Sequence, residues 1–310
     1  MSSERGIAAP LLLGAAVLVA IGLAGLYVTL NSDEDPPPNG DAGGYELRAI
    51  GDSVTAGWGH FPRGRRVPAA ALILGRCIPP PLPNGRCQSP RKVAYPAVYA
   101  ARAGIPLGRP AFDNLAVAGA DPIDWLEGPF ADELESVVAD DPDLTVLTLG
   151  ANPLLTDFID FTDRRGGACI RGPRPRDCIE AALRQFQVVA RLSRVYQRLL
   201  DTPADGKRGS VVVFQYHRTQ PATVPPDRVE ILFEELRAAI SRAVADARER
   251  RPQDAGRLLL VETPSFEGHH CGDPDPWVLS ADTCIHPSAA GHEQFARALE
   301  QAVPRPALDG

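Results

Sequence analysis

Four residues of this chain could do chemistry together: a serine that interrupts an apolar segment, a glycine and an asparagine in two small-residue turns, and a histidine that precedes a proline. Ser53 lies in Ala49-Ile50-Gly51-Asp52-Ser53-Val54-Thr55-Ala56-Gly57. A serine hydroxyl attacks a carbonyl only when a base stands beside it and donors face the developing oxyanion. His286, in His286-Pro287-Ser288, is the candidate base, since histidine most often fills that role. Pro287 restricts His286 to extended backbone angles and holds its imidazole off the following helix. Gly119, in Ala118-Gly119-Ala120-Asp121, offers a backbone N–H, and Asn152, in Gly150-Ala151-Asn152-Pro153, offers a side-chain amide. Taken singly each is ordinary: a turn serine, a turn glycine, an asparagine ahead of a helix, a loop histidine. Of the other histidines, His217 is a rival base, His292 is expected to face solvent from the last helix, and His60, His269 and His270 fall in loops. Asp52, adjacent to the serine, is expected to make local turn hydrogen bonds rather than to act as a catalytic acid. The G-x-S-x-G elbow of α/β-hydrolases is missing around Ser53.

The elements that must position these residues alternate. Apolar or alternating runs predict strands over 45–54, 111–117, 144–149, 210–215 and 257–262. Helical spacing predicts helices over 94–103, through the acidic segment ending at 138, and over 178–200, 226–250 and 288–303. Ser288 is a good N-cap residue for the last of these. Strands alternating with helices argue for a mostly parallel sheet with helices on both faces. Ligands of such sheets bind beyond the carboxyl ends of the strands. Ser53, Gly119 and Asn152 each fall at or just past the end of a predicted strand, so three separate segments deliver polar groups to one edge. The stretches 60–90 and 158–177 read as a long loop and an insertion.

The 310 residues are 44% hydrophobic and 23% charged, with a net charge of -7. This suits one large globular domain or two small ones and argues against a nucleic-acid partner. Residues 6–30 carry no charged side chain. As a helix they would span about 37 Å, enough for a hydrocarbon core of about 30 Å. The run is longer than a usual signal-peptide core, so residues 1–30 are expected to form an uncleaved signal anchor, with a secreted protein if cleaved. Arg5 before the run and Asp33, Glu34 and Asp35 after it place the body outside the cytoplasm. Residues 31–44 read as a tether, and residues 45–310 as the catalytic domain. Six cysteines follow the apolar run: Cys77, Cys87, Cys169, Cys178, Cys271 and Cys284. They permit 15 connectivities, of which neighbour pairing, 77–87, 169–178 and 271–284, is the simplest. Disulfides suit an oxidising compartment. A zinc site from His269, His270, Cys271, Cys284 and His286 is the alternative, but the spacing matches no compact zinc motif.

Together the four blocks resemble those of the SGNH hydrolases, the GDSL lipases and esterases. They are 51–57, Asn114-Leu115-Ala116-Val117-Ala118-Gly119-Ala120, 150–153 and His286-Pro287-Ser288-Ala289-Ala290-Gly291, in the family's order. The cysteine pairs look like those of its secreted bacterial lipases. The resemblance implies a three-layer α/β/α sandwich around a five-stranded, mostly parallel sheet. It implies Ser53 as nucleophile, His286 as base, and the Ser53 N–H, Gly119 N–H and Asn152 amide as oxyanion donors. It also implies ester hydrolysis through an acyl-enzyme on a lipid or small-molecule ester, with no metal or other cofactor, in a protein expected to be monomeric. One position departs from the pattern. The family usually has aspartate three residues before the histidine, where this chain has Thr283, with Asp282 one residue earlier. Either Asp282 orients His286 as the third catalytic residue or the Thr283 carbonyl does so, as in family members with a serine–histidine dyad. Acyl transfer to, or deacetylation of, an envelope carbohydrate is the rival reaction, and a non-catalytic binding protein the rival class.

Overall fold

A computed structural model of the chain describes residues 44–58, 60–61, 65–66, 93–158, 168–201, 206–218, 225–270, 273–278 and 285–303. The expected signal anchor, Asp282, Thr283 and the cysteine pairs 77–87 and 271–284 lie outside the described residues. Among the described residues no helix is long and apolar enough to cross a membrane.

Five strands form one sheet: β1 (Leu47–Gly51), β2 (Phe112–Asn114), β3 (Leu144–Thr148), β4 (Ser210–Phe214) and β5 (Leu258–Val261). Their spatial order is β2-β1-β3-β4-β5, and all four pairings are parallel. The sheet is therefore wholly rather than mostly parallel. The helices are α1 (Ser53–Ala56), α2 (Tyr95–Arg102), α3 (Pro122–Leu126), α4 (Ala131–Asp140), α5 (Asn152–Phe158), α6 (Ala168–Arg171), α7 (Pro175–Gln185), α8 (Val188–Leu199), α9 (Pro226–Arg250) and α10 (Ala289–Ala302). The chain runs outward from β1 to β2, then reverses to β3, β4 and β5. Because parallel crossovers are right-handed, this reversal sends α2 to one face of the sheet and the helices between β2 and β5 to the other. In keeping with that, α2 packs on α10, while α3, α4, α7, α8 and α9 pack among themselves. Leu47, Ile50, Val146, Leu147, Val212 and Phe214 fill the core between the layers and are almost wholly buried.

Several sequence expectations change. The first strand ends at Gly51, not at residue 54, because Asp52 caps a helical turn that opens at Ser53. The second strand is three residues long, and the chain beyond it still hydrogen-bonds to β1 through Leu115 N–H to Ala49 O and Val117 N–H to Gly51 O. The acidic segment is two helices, α3 and α4, rather than one. The helix expected over 178–200 is also two, α7 and α8, broken where Gln187 adopts a left-handed conformation with φ of 51°. Apolar spacing continues through the break, so periodicity could not reveal it. The insertion over 158–177 contains α6 and the start of α7, which the disulfide Cys169–Cys178 joins with a Cα–Cα distance of 5.4 Å. His60–Phe61, expected as loop, pairs antiparallel with Arg65–Arg66.

Candidate active site

The reversal of strand order lies between β1 and β3, the place where open parallel sheets form a crevice for ligands. Ser53 follows β1 and Asn152 follows β3, so both stand at that crevice.

Local chain chemistry builds the serine turn. Gly51 has φ of 119°, and a Cβ there would lie 2.2 Å from the Thr148 carbonyl oxygen. Only glycine lets β1 turn this close to β3. The Asp52 carboxylate then accepts from the Val54 N–H at 3.1 Å, the usual N-cap bond. Ser53 occupies the first helical position, where its own N–H has no acceptor within the helix. Its side chain stays within reach of solvent at 8% exposure, while Asp52 beneath it is 1% exposed.

His286 arrives from the opposite end of the sequence. Its Nε2 lies 2.8 Å from Ser53 Oγ. With the imidazole proton on Nδ1, the serine hydroxyl donates to Nε2, which is the arrangement a general base requires. The preceding residue is pinned: Ile285 O lies 2.8 Å from Nε2 of buried His217. His217 packs in turn against the rings of Phe266 and Phe295. The rival histidine thus supports the His286 segment from below. After His286, the Ser288 N–H donates to Trp277 O at 2.7 Å, and Pro287 forms an isolated bridge with Val278. Ser288 also caps α10, accepting from Gly291 N–H at 3.3 Å as its sequence position predicts. The Trp58 ring lies 6.4 Å from the His286 ring and forms a neighbouring wall.

The two oxyanion candidates are brought side by side. Gly119 sits at φ of 81° in the turn after β2. The Asn152 Nδ2 donates to the Ala120 carbonyl at 2.8 Å, joining the third block to the second. An amide nitrogen carries two hydrogens, so the bond to Ala120 orients the group and leaves a second donor. Val117 N–H bonds Gly51 O at 3.0 Å, and the Asn114 amide bonds Thr55 O at 2.9 Å, joining the second block to the first. Hydrogen bonds thus connect all four sequence blocks.

Sequence reasoning missed the polar layer beneath the serine. Asp52 does make its local turn bond, but it also accepts from Tyr216 and, at 3.0 Å, from the Thr148 hydroxyl. Thr55 Oγ1 bonds Thr148 Oγ1 at 2.8 Å and Tyr95 Oη at 3.2 Å. Burial pushes the Asp52 carboxyl up from 3.8 to about 6, against the pull of the bonds from Tyr216, Val54 and Thr148 and of the His286 charge. Tyr216 follows β4 at the same sheet edge as the other site residues; that position was its one signal in the sequence. His292, expected at solvent, is fully buried, and its Nδ1 accepts from the Tyr95 N–H at 3.3 Å. It ties α10 to α2 and lies outside the site. Among the described residues no group of three or more metal-binding side chains occurs. The zinc alternative includes Cys271 and Cys284, outside the described residues.

Comparison with known proteins agrees with this geometry. No curated protein matches the sequence. Among solved structures, the extracellular lipase of Streptomyces rimosus is 20% identical with a TM-score of 0.53, over 84% of this chain and 100% of that one. Phospholipase A1 of Streptomyces albidoflavus NA297 is also 20% identical, with a TM-score of 0.54 over the same shares. At this identity they share the fold. The model of the GDSL-like lipase/acylhydrolase family matches residues 49–294, a range that takes in Ser53, Gly119, Asn152 and His286. The chain belongs to the GDSL-like lipase/acylhydrolase family.

Proposed function

We propose that the protein is an extracytoplasmic serine esterase that hydrolyses carboxylic esters of lipids or small acyl groups through an acyl-enzyme on Ser53. The observation that carries this reading is the 2.8 Å separation of His286 Nε2 and Ser53 Oγ at the carboxyl edge of the sheet. Ser53 Oγ attacks the ester carbonyl as Nε2 takes its proton. The carbonyl oxygen becomes an oxyanion held by the N–H groups of Ser53 and Gly119 and the Asn152 amide. The imidazolium returns its proton to the alkoxide, which leaves as the alcohol. Water, deprotonated by the same nitrogen, then attacks the acyl-enzyme and releases the acid and the free serine. Each step uses groups of this chain and needs no metal or organic cofactor.

The uncharged run at 6–30 and the disulfide Cys169–Cys178 support a catalytic domain held outside the cytoplasm by an N-terminal anchor. A membrane position brings lipid or envelope esters within reach, and a monomer suffices because Ser53 and His286 come from one chain.

The test is fluorophosphonate labelling of the full-length protein followed by peptide mapping. Label on Ser53, lost in His286→Ala, is the expected result. A folded protein that takes no label overturns the hydrolase reading in favour of a binding protein. Protease accessibility in intact cells, with alkaline carbonate extraction of membranes, tests the anchor. A catalytic domain protected from external protease would sink the location.

A further inference from the structure

Tyr216 touches both halves of the site without facing the reaction. Its hydroxyl donates to Asp52, the residue before the nucleophile. The same oxygen accepts from the Ala151 N–H at 3.2 Å, the residue before Asn152. One phenol oxygen therefore bridges the turn after β1 and the turn after β3. The bridge is buried. Tyr216 is 4% exposed and Asp52 1%. Its geometry is held from two sides. The Asp52 N–H bonds Thr148 O at 3.0 Å, which sets the spacing of the strands below. The Arg237 guanidinium donates to Tyr216 O at 3.2 Å, which anchors the tyrosine backbone to α9. The Asn152 amide is meanwhile fixed toward the second block by Ala120 O. What remains to be set is the position of the Asn152 turn relative to Ser53, and the Tyr216 hydroxyl spans that gap.

We propose that Tyr216 is a positioning residue, whose hydroxyl, shared between Asp52 and the Ala151 N–H, sets the Asn152 amide against the oxyanion that forms at Ser53. The inference rests on the serine esterase reading. Tyr216 acts through Asn152 and touches no substrate, so its effect belongs to the transition state, where the oxyanion exists.

A double-mutant cycle tests this in the full-length protein with a p-nitrophenyl ester. Tyr216→Phe keeps the ring and removes both bonds of the hydroxyl. It is expected to lower kcat by about 10–100-fold with KM changed by less than about twofold, the pattern of an interaction made only in the transition state. The inhibition constant of a trifluoromethyl ketone, which forms an oxyanion on the serine, is expected to rise by the same factor. In an Asn152→Ala background the further loss is expected to shrink below about threefold, because the donor that Tyr216 places is already gone. An equal loss in both backgrounds overturns the proposal, as does a lower melting temperature with unchanged kcat. Should Tyr216→Phe not fold, replacing Ala151 by L-lactic acid removes its N–H donor alone. The same fall in kcat is expected, and no fall overturns the proposal. Wild-type protein that neither hydrolyses ester nor takes fluorophosphonate overturns the esterase reading and this inference with it. Labelled wild-type protein with additive Tyr216 and Asn152 effects overturns this inference alone.

Discussion

The Asn152 side-chain amide donates to the Ala120 carbonyl at 2.8 Å, across 32 residues of sequence, and so links the turn after β3 to the turn that holds Gly119. A donor fixed in this way needs no reorganisation when an oxyanion forms beside it, which is the condition under which such donors contribute most.

Asn152→Ala is therefore expected to lower kcat by about 10²–10³-fold, roughly 2.7–4 kcal/mol, with little change in KM. Steady-state kinetics on p-nitrophenyl esters measure both constants. A rise in KM at constant kcat would assign Asn152 to substrate binding instead.

The raised carboxyl of Asp52 makes stability depend on pH. Its folded-state value of about 6 exceeds the ordinary 3.8, so the native protein binds this proton more tightly than the unfolded chain does. The contribution is fully present below about pH 3.8 and is lost as pH rises through about 6. Tyr95, Tyr196 and Tyr216 around Asp52 are all pushed upward by burial and stay protonated across this window. The stability difference between wild type and Asp52→Asn is expected to shift against wild type between pH 4 and pH 7, by up to roughly 3 kcal/mol. Urea unfolding at the two pH values measures it. A difference independent of pH would mean that Asp52 titrates in its ordinary range.

The group that orients His286 separates by mutation. With the Thr283 carbonyl in that role, Asp282→Ala is expected to change kcat by less than about tenfold, or about 1.4 kcal/mol. A fall of about 10³-fold or more would instead make Asp282 a true third catalytic residue.

The disulfide Cys169–Cys178 closes a loop with a sequence separation of 9. By the chain-entropy estimate it contributes about 2–3 kcal/mol. Replacing both cysteines by serine is expected to lower the melting temperature by about 5–10 °C in a domain of this size. Scanning calorimetry measures the change. An unchanged melting temperature would show that the loop is already ordered in the unfolded chain.

Much of this protein follows from local chain chemistry. The apolar runs at β3 and β4 mark strands covered on both faces, where side chains are mostly apolar. The bounds of α9 and the Ser288 cap are legible because helix periodicity and capping depend on neighbours in sequence. The blocks around Ser53, Gly119 and Asn152 are legible as well, because tight turns at strand ends demand small residues, and the His286 block is legible through its resemblance to the family pattern. Contacts between distant segments decided the rest. His292 carries a polar ring on an amphipathic helix, and only the packing of α10 on α2 buries it. Gln187 breaks a helix whose apolar pattern runs straight through the break. Tyr216 lies 164 residues from Asp52 in the chain. Beyond its place just after β4, nothing in the neighbouring sequence signals that the Tyr216 hydroxyl ends beneath the nucleophile. Such a contact exists only once the reversal of strand order at β1 and β3 has closed the sheet around the site.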